Sequence, residues 1–120
     1  MEQERPYPVF AFVYRISGGI AGIKNVISYD SITKELLRND QLLKKLSNED
    51  EKKLIATFTD NGFFEADRYS YPPGNVSDAF EFELIATWQL KGAFIRWYTG
   101  SEGVPEGILK ISSEIDKISS

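Results

Sequence analysis

The chain of 120 residues has no histidine and no cysteine. These two absences remove most of the side chains that carry acid–base and nucleophilic chemistry at neutral pH. They exclude a Ser-His-Asp triad and a cysteine nucleophile. They also exclude zinc sites of the usual kind, whose ligands are mainly Cys and His. No GxxxxGK[ST] phosphate loop and no calcium-loop pattern occurs. Disulfides are impossible, which fits a reducing compartment. Long apolar runs are also missing. The first, Val9 to Tyr14, is too short to span a membrane or to form a secretory core. Glu2 and Glu4 stand where a signal peptide would be basic, so the expected location is cytoplasmic. Positive charge is scarce, the formal net charge being −4. Basic residues come only in short pairs, Lys44-Lys45 and Lys52-Lys53, the second directly after the acidic run Glu49-Asp50-Glu51. Nucleic-acid affinity needs a face that neutralises phosphates. Nucleic acid and membrane are therefore not expected partners, and no cofactor is expected.

What is present is an ordinary globular composition. Apolar residues make up 42% and charged residues 27%, with eight Phe, six Tyr and two Trp. The length suits one domain spanning residues 1–120. A chain of this size buries roughly two-thirds of its unfolded surface, enough for a core without metal or disulfide.

Tyr7 to Ile16 is rich in aromatic and β-branched residues and predicts a strand. Both of its faces are apolar: Val9, Ala11 and Val13 on one, Phe10, Phe12 and Tyr14 on the other. That pattern suits a central strand or one covered on both sides. Ser17-Gly18-Gly19-Ile20-Ala21-Gly22 then marks a turn, and Ile23 to Tyr29 predicts a second strand completing a hairpin. From Asp30 to Leu46 the leucines are compatible with helical spacing, interrupted by Asn39-Asp40. The expectation is a strand or hairpin through about Leu37, followed by an irregular or short helical piece.

Ser47 predicts a helix start, its side chain accepting a hydrogen bond from the first turn, and Glu49, Asp50 and Glu51 suit the positive end of the dipole. Leu54, Ile55 and Phe58 form the buried stripe. Gly62 ends the helix in a left-handed conformation, and Phe63-Phe64 return to the core. After the Tyr71-Pro72-Pro73-Gly74-Asn75 loop, Phe80, Phe82, Leu84, Ala86 and Trp88 alternate with Glu81, Glu83, Ile85, Thr87 and Gln89. That period of two predicts a strand with one buried face. A turn at Lys91-Gly92 sends Ala93 to Thr99 back, with Ile95 and Trp97 inward and Phe94, Arg96 and Tyr98 outward. Pro105 opens a last helix whose apolar stripe is Val104, Ile108, Ile111, Ile115 and Ile118. The expected class is α+β: an antiparallel sheet of about four strands, with two helices packed on its Phe80/Trp88 face.

Four places could carry function. Glu81 and Glu83 lie roughly 7 Å apart on one strand face, with Asp78 before them, and could work as acid and base. Their simpler role is the solvated face of an amphipathic strand, since nothing nearby completes a site. The Ser17–Gly22 loop is either a hairpin turn whose glycines supply positive φ or a binding loop that shows Ile20 to a partner. Phe94, Arg96 and Tyr98 could bind a partner on the outer face, or pack under a loop or a dimer mate. Tyr69, Tyr71 and Pro72-Pro73 form either a recognition edge or a rigid loop.

Several landmarks fall in one order. Tyr14-Arg15 leads to Ser17-Gly18-Gly19-Ile20-Ala21-Gly22-Ile23, and a helix ends in Gly62-Phe63-Phe64. A Pro/Gly-rich loop reaches Asp78 and the strand Phe80-Glu81-Phe82-Glu83-Leu84, and Gly103-Val104-Pro105 opens the terminal helix. From about Phe12 to Ile118 this order resembles the emfourin family, whose characterised members inhibit protealysin, a thermolysin-like zinc metallopeptidase. Asp30 to Leu46 is longer than in typical members. The resemblance implies a non-enzymatic inhibitor with no catalytic or metal-binding residues of its own. It further implies that Ser17, Gly18, Gly19, Ile20, Ala21 and Gly22 enter the protease cleft, with Ile20 in the apolar pocket beyond the scissile bond. Tyr71 and Pro72 would form a second contact, and the zinc would belong to the target. The alternative is a non-catalytic interaction or dimerisation module using the outer sheet face. The expected state is a monomer or weak homodimer.

Overall fold

A computed structural model describes residues 10–19, 22–75 and 79–120. Six strands form one antiparallel sheet: β1 Phe10–Gly18, β2 Ile23–Asp30, β3 Glu35–Arg38, β4 Gln41–Lys45, β5 Phe80–Trp88 and β6 Lys91–Tyr98. Their order is β4-β3-β2-β1-β5-β6. Two helices, α1 Asn48–Asp60 and α2 Glu106–Ile118, pack on one face, with a 3-10 turn at Phe63–Glu65. The class is α+β as the residue pattern predicts, with the sheet extended by a β3–β4 hairpin.

β1 is central, bonded to β2 on one side and β5 on the other. Its Phe10, Phe12 and Tyr14 point into the core, joined by Tyr29, Leu84, Ala86, Ile95 and Trp97 from neighbouring strands. The helices supply Leu54, Phe58, Ile108, Ile111 and Ile115. Phe58 sits in the middle of this layer. Its ring lies 5.2 Å from Phe10, 5.6 Å from Phe12 and 5.3 Å from Phe63.

α1 begins where the sequence predicts it. Ser47 Oγ accepts from the Asp50 N–H at 3.1 Å. Gly62 takes φ 71°, the left-handed value that lets the chain reverse and bury Phe63. Tyr29 on β2 donates its hydroxyl to the Glu51 carboxylate, which Lys34 also reaches at 3.0 Å. That cluster pins the start of α1 to the sheet. At the other end, Arg38 Nη2 donates to the Ser119 carbonyl at 2.7 Å, tying β3 to the end of α2.

Two expectations are corrected. Residues Gln41–Lys45 are a strand, not an irregular or helical piece. The leucine spacing fits a helix, but Asn39 and Asp40 take φ 49° and 68°, the pair of positive values that closes a two-residue hairpin. Asn39 also exchanges bonds with β2, its N–H donating to the Val26 carbonyl and its Oδ1 accepting from the Val26 N–H. The second correction concerns the β5–β6 turn. It falls at Gln89-Leu90, with φ 49° and 68°, not at Lys91-Gly92. Trp88 pairs with Lys91 and Leu84 with Ile95. Moving the turn by two residues changes the partner of each residue by four, an even number, so the facing of Ile95, Trp97, Phe94, Arg96 and Tyr98 is unchanged.

Leu90 is 88% exposed in a left-handed backbone conformation. It thus meets the Cβ penalty without gaining burial. Replacing it, Leu90→Gly, should raise the unfolding free energy by about 0.5–1 kcal/mol once glycine's extra unfolded-state entropy is subtracted. Urea denaturation measures this directly. A loss of stability would show that the leucine is held by packing instead.

Candidate functional site

The β1–β2 loop stands at one end of the sheet. Gly18 has φ 107°, and a Cβ there would lie 2.9 Å from the Ala79 carbonyl oxygen. Gly19 has φ 80°, and a Cβ would lie 3.0 Å from the Phe80 ring. These two glycines are required because the loop base rests against the start of β5. Ser17 pairs across to Lys24 and Glu81. Gly22 is exposed and donates its N–H to the Gly19 carbonyl at 3.2 Å. The loop base is therefore braced on both strands. Ile20, Ala21 and Asp78 lie outside the described residues.

The second predicted loop reaches the same end. Thr99 N–H donates to the Phe80 carbonyl, and Phe80 N–H to the Thr99 hydroxyl. Gly74 approaches Gly100 so closely that a Cβ would sit 2.4 Å from its carbonyl oxygen. Ser101 Oγ donates to the Pro72 carbonyl at 2.8 Å. Pro72 and Pro73 are exposed. Beside them a hollow of about 440 Å³ opens between Arg68, Pro72, Pro73, Gly74, Glu102 and Gly103.

Tyr71 does not share that exposure. It is only 5% exposed, with the Arg68 guanidinium 4.5 Å from its ring centre. Its N–H donates to the Arg96 carbonyl, and the Arg96 N–H donates to Tyr69 O. Residues 69–71 thus lie along β6 and occupy the backbone groups of that edge around Arg96. Tyr71 serves packing, while the exposed ring of this segment is Tyr69.

The third site lies on the outer sheet face, where Phe94, Arg96 and Tyr98 stand as the alternation predicts. Glu81 and Glu83 are paired here rather than free. Arg96 Nε lies 3.3 Å from Glu81 and 3.4 Å from Glu83, with neither contact aligned as a hydrogen bond. Arg15 donates to Glu83 at 3.4 Å. The Arg96 guanidinium also lies 5.5 Å from the Phe94 ring. Two carboxylates and two arginines thus form one charge-compensated cluster. Among the described residues no group of three or more acidic side chains is placed to hold a metal ion.

The register reveals something that reading each strand separately missed. Leu42, Leu37, Ser28, Val13, Ile85 and Phe94 lie opposite one another in sequence across all six strands. They form one row, apolar except for Ser28. Both helices and the 3-10 turn pack on the other face, so no described element covers this row. The available signal was Ile85 among polar neighbours, together with the second apolar face of β1.

Three groups have displaced ionisation. Burial, reinforced by the charge of Asp116 and opposed by a hydrogen bond with Ser112, pushes Tyr14 up to about 12. Burial also raises Asp116, against the pull of Arg38. Tyr29 is raised by burial and then by its bond to Glu51. A phenol whose folded pKa is raised stabilises the fold fully below its unfolded value near 10. That contribution is lost as pH climbs through the folded value. Stability should therefore fall between pH 10 and 12. For Tyr14 alone the loss by about pH 11.5 is about 2 kcal/mol. Urea unfolding of the wild type and Tyr14→Phe across that range checks it. Parallel losses in the two proteins would exclude Tyr14 as the cause.

No protein-family model matches this chain, and no curated protein matches it.

Proposed function

We propose that this chain is a non-catalytic protein-binding domain that inhibits a thermolysin-like zinc metallopeptidase. The observation that supports the reading is the meeting of two loops at one end of the sheet, both braced by close backbone approaches. Bracing at a loop's base lowers the conformational entropy lost on binding, which favours affinity. Glycines at its base let the main chain come close to the walls of a cleft. The specificity for a thermolysin-like target rests on the ordered resemblance to the emfourin family. Ile20 would fill the apolar pocket beyond the scissile bond, and the zinc and the catalytic groups would be the protease's. Pro72 and the exposed loop around it provide the second contact, and Tyr71 supports it from the core.

Titration of the purified protein against thermolysin-like proteases tests this. Dose-dependent inhibition without degradation of the added protein is the expected result. Absence of inhibition across several such enzymes would sink it. Ile20→Glu should weaken inhibition by about 2 kcal/mol or more, since one buried anchor carries much of an interface. Equal potency of that variant would remove the anchor assignment while leaving the inhibitor reading in place.

A second reading is favoured by the uncovered row from Leu42 to Phe94. It makes the chain an interaction or dimerisation module working through the outer sheet face, independently of the loops.

A further inference from the structure

The outer face offers an area, a shape and a charge pattern from which its occupant can be argued. The row Leu42, Leu37, Ser28, Val13, Ile85 and Phe94 crosses six strands, a length of about 24 Å at the usual strand spacing. Beside it run small residues, Ala11, Thr87 and Gly92, paired across β1, β5 and β6. They leave two shallow hollows. One of about 180 Å³ opens over Ala11, Val13, Ile85 and Thr87. The other, of about 410 Å³, lies between Val13, Ser28, Thr33, Glu35 and Leu37.

Charge on this face is balanced although the chain as a whole carries −4. Four basic residues, Arg15, Lys24, Lys45 and Arg96, occupy the outward positions with four acidic ones, Asp30, Glu35, Glu81 and Glu83. The net negative charge therefore resides elsewhere and does not oppose contact between two such faces. A strongly basic or acidic partner finds no opposite field here to select it.

Resting on the outer-face reading, we infer that the occupant of this face is a second copy of the chain, packed sheet on sheet about a two-fold axis running along the strands between β1 and β2. That operation lays the row on itself. Leu42 meets Phe94 of the other copy, Leu37 meets Ile85, and Ser28 meets Val13. The large side chains at the two ends of the row face one another, and the small ones meet at its centre. No like charges are brought opposite: Arg15 lies over Val26, and Lys45 over Gly92. Sheets packed this way stand about 10 Å apart. The row with its two flanking rows covers on the order of 500 Å² per copy, less than the ~800 Å² of a stable interface. The dimer is thus weak and reversible, and it forms as concentration rises.

Sedimentation velocity from about 10 µM to about 1 mM, the range of weak association, tests this. The weight-average mass should climb from 13.6 kDa toward twice that value. Ile85→Lys should hold the mass at that of the monomer, and Val13→Thr, which keeps a β-branched side chain, should weaken association severalfold. Leu90→Ser, at the hairpin tip off the face, should leave it unchanged. A constant monomer mass, or equal association of Ile85→Lys, overturns the proposal. Bleaching of NMR signals by a soluble nitroxide separates this from failure of the outer-face reading. The proposal expects Val13 and Ile85 methyls to be bleached when dilute and protected when concentrated. Bleaching at both concentrations would leave an open docking face and remove the second copy as occupant. Protection at both would remove the open face as well.

Discussion

The fold depends on one side chain, Phe58. It projects from α1 into a cage made by Phe10 and Phe12 of the central strand and by Phe63 and Phe64 just beyond the helix. Removing such a buried ring typically costs about 3–5 kcal/mol, a large part of what a domain this size has. The cage also explains the backbone around it. Phe63 reaches Phe58 only because the chain reverses at Gly62 in a left-handed conformation. α2 then comes close to the end of α1: a Cβ at Gly107 would stand 2.8 Å from the Asn61 carbonyl.

Drawing the aromatic mass to one side has a price on the other. Both helices are used to cover the inner face, and among the described residues the outer face keeps only what its own side chains provide. Along one end of that face Arg15, Arg96, Glu81 and Glu83 neutralise each other. Next to them the chain presents the bare row. A surface of this kind suits recognition through shape and apolar contact. The loop end differs from it in kind. Its character comes from backbone approach, at Gly18 to Ala79 and at Gly74 to Gly100, rather than from side chains. The molecule thus has two separate surfaces with different physics.

Much of this was legible in the sequence, wherever a local pattern determines the outcome. Ser47, Gly62 and Pro105 mark helix boundaries through backbone chemistry that needs no tertiary context. The period of two in Phe80 to Trp88 gave the facing of both strands in its hairpin even though the turn itself was misplaced. Lys91-Gly92 carries the glycine expected in a turn, yet strand pairing put positive φ on Gln89 and Leu90. The β4 strand was hidden because two leucines followed by two lysines fit either periodicity. Tyr71 reads as a loop aromatic, and its burial follows only from residues 69–71 lying along β6. The outer row was invisible for the same reason: it joins residues of six strands and exists only once their register is set.

The two sides of the sheet end differently. On β6 the backbone around Arg96 is already engaged by residues 69–71, whereas β4 is an outermost strand with every residue exposed. A sheet grows into a fibre only if each added molecule offers a new open edge. Here a neighbour that joined β4 through its own β4 would leave the engaged β6 sides facing outward. Further growth would then meet an edge already occupied around Arg96. The short segment beside β6 therefore blunts that edge at Arg96, where an added strand would find the backbone groups already bonded, while the Leu42-Leu43 edge keeps no such guard among the described residues.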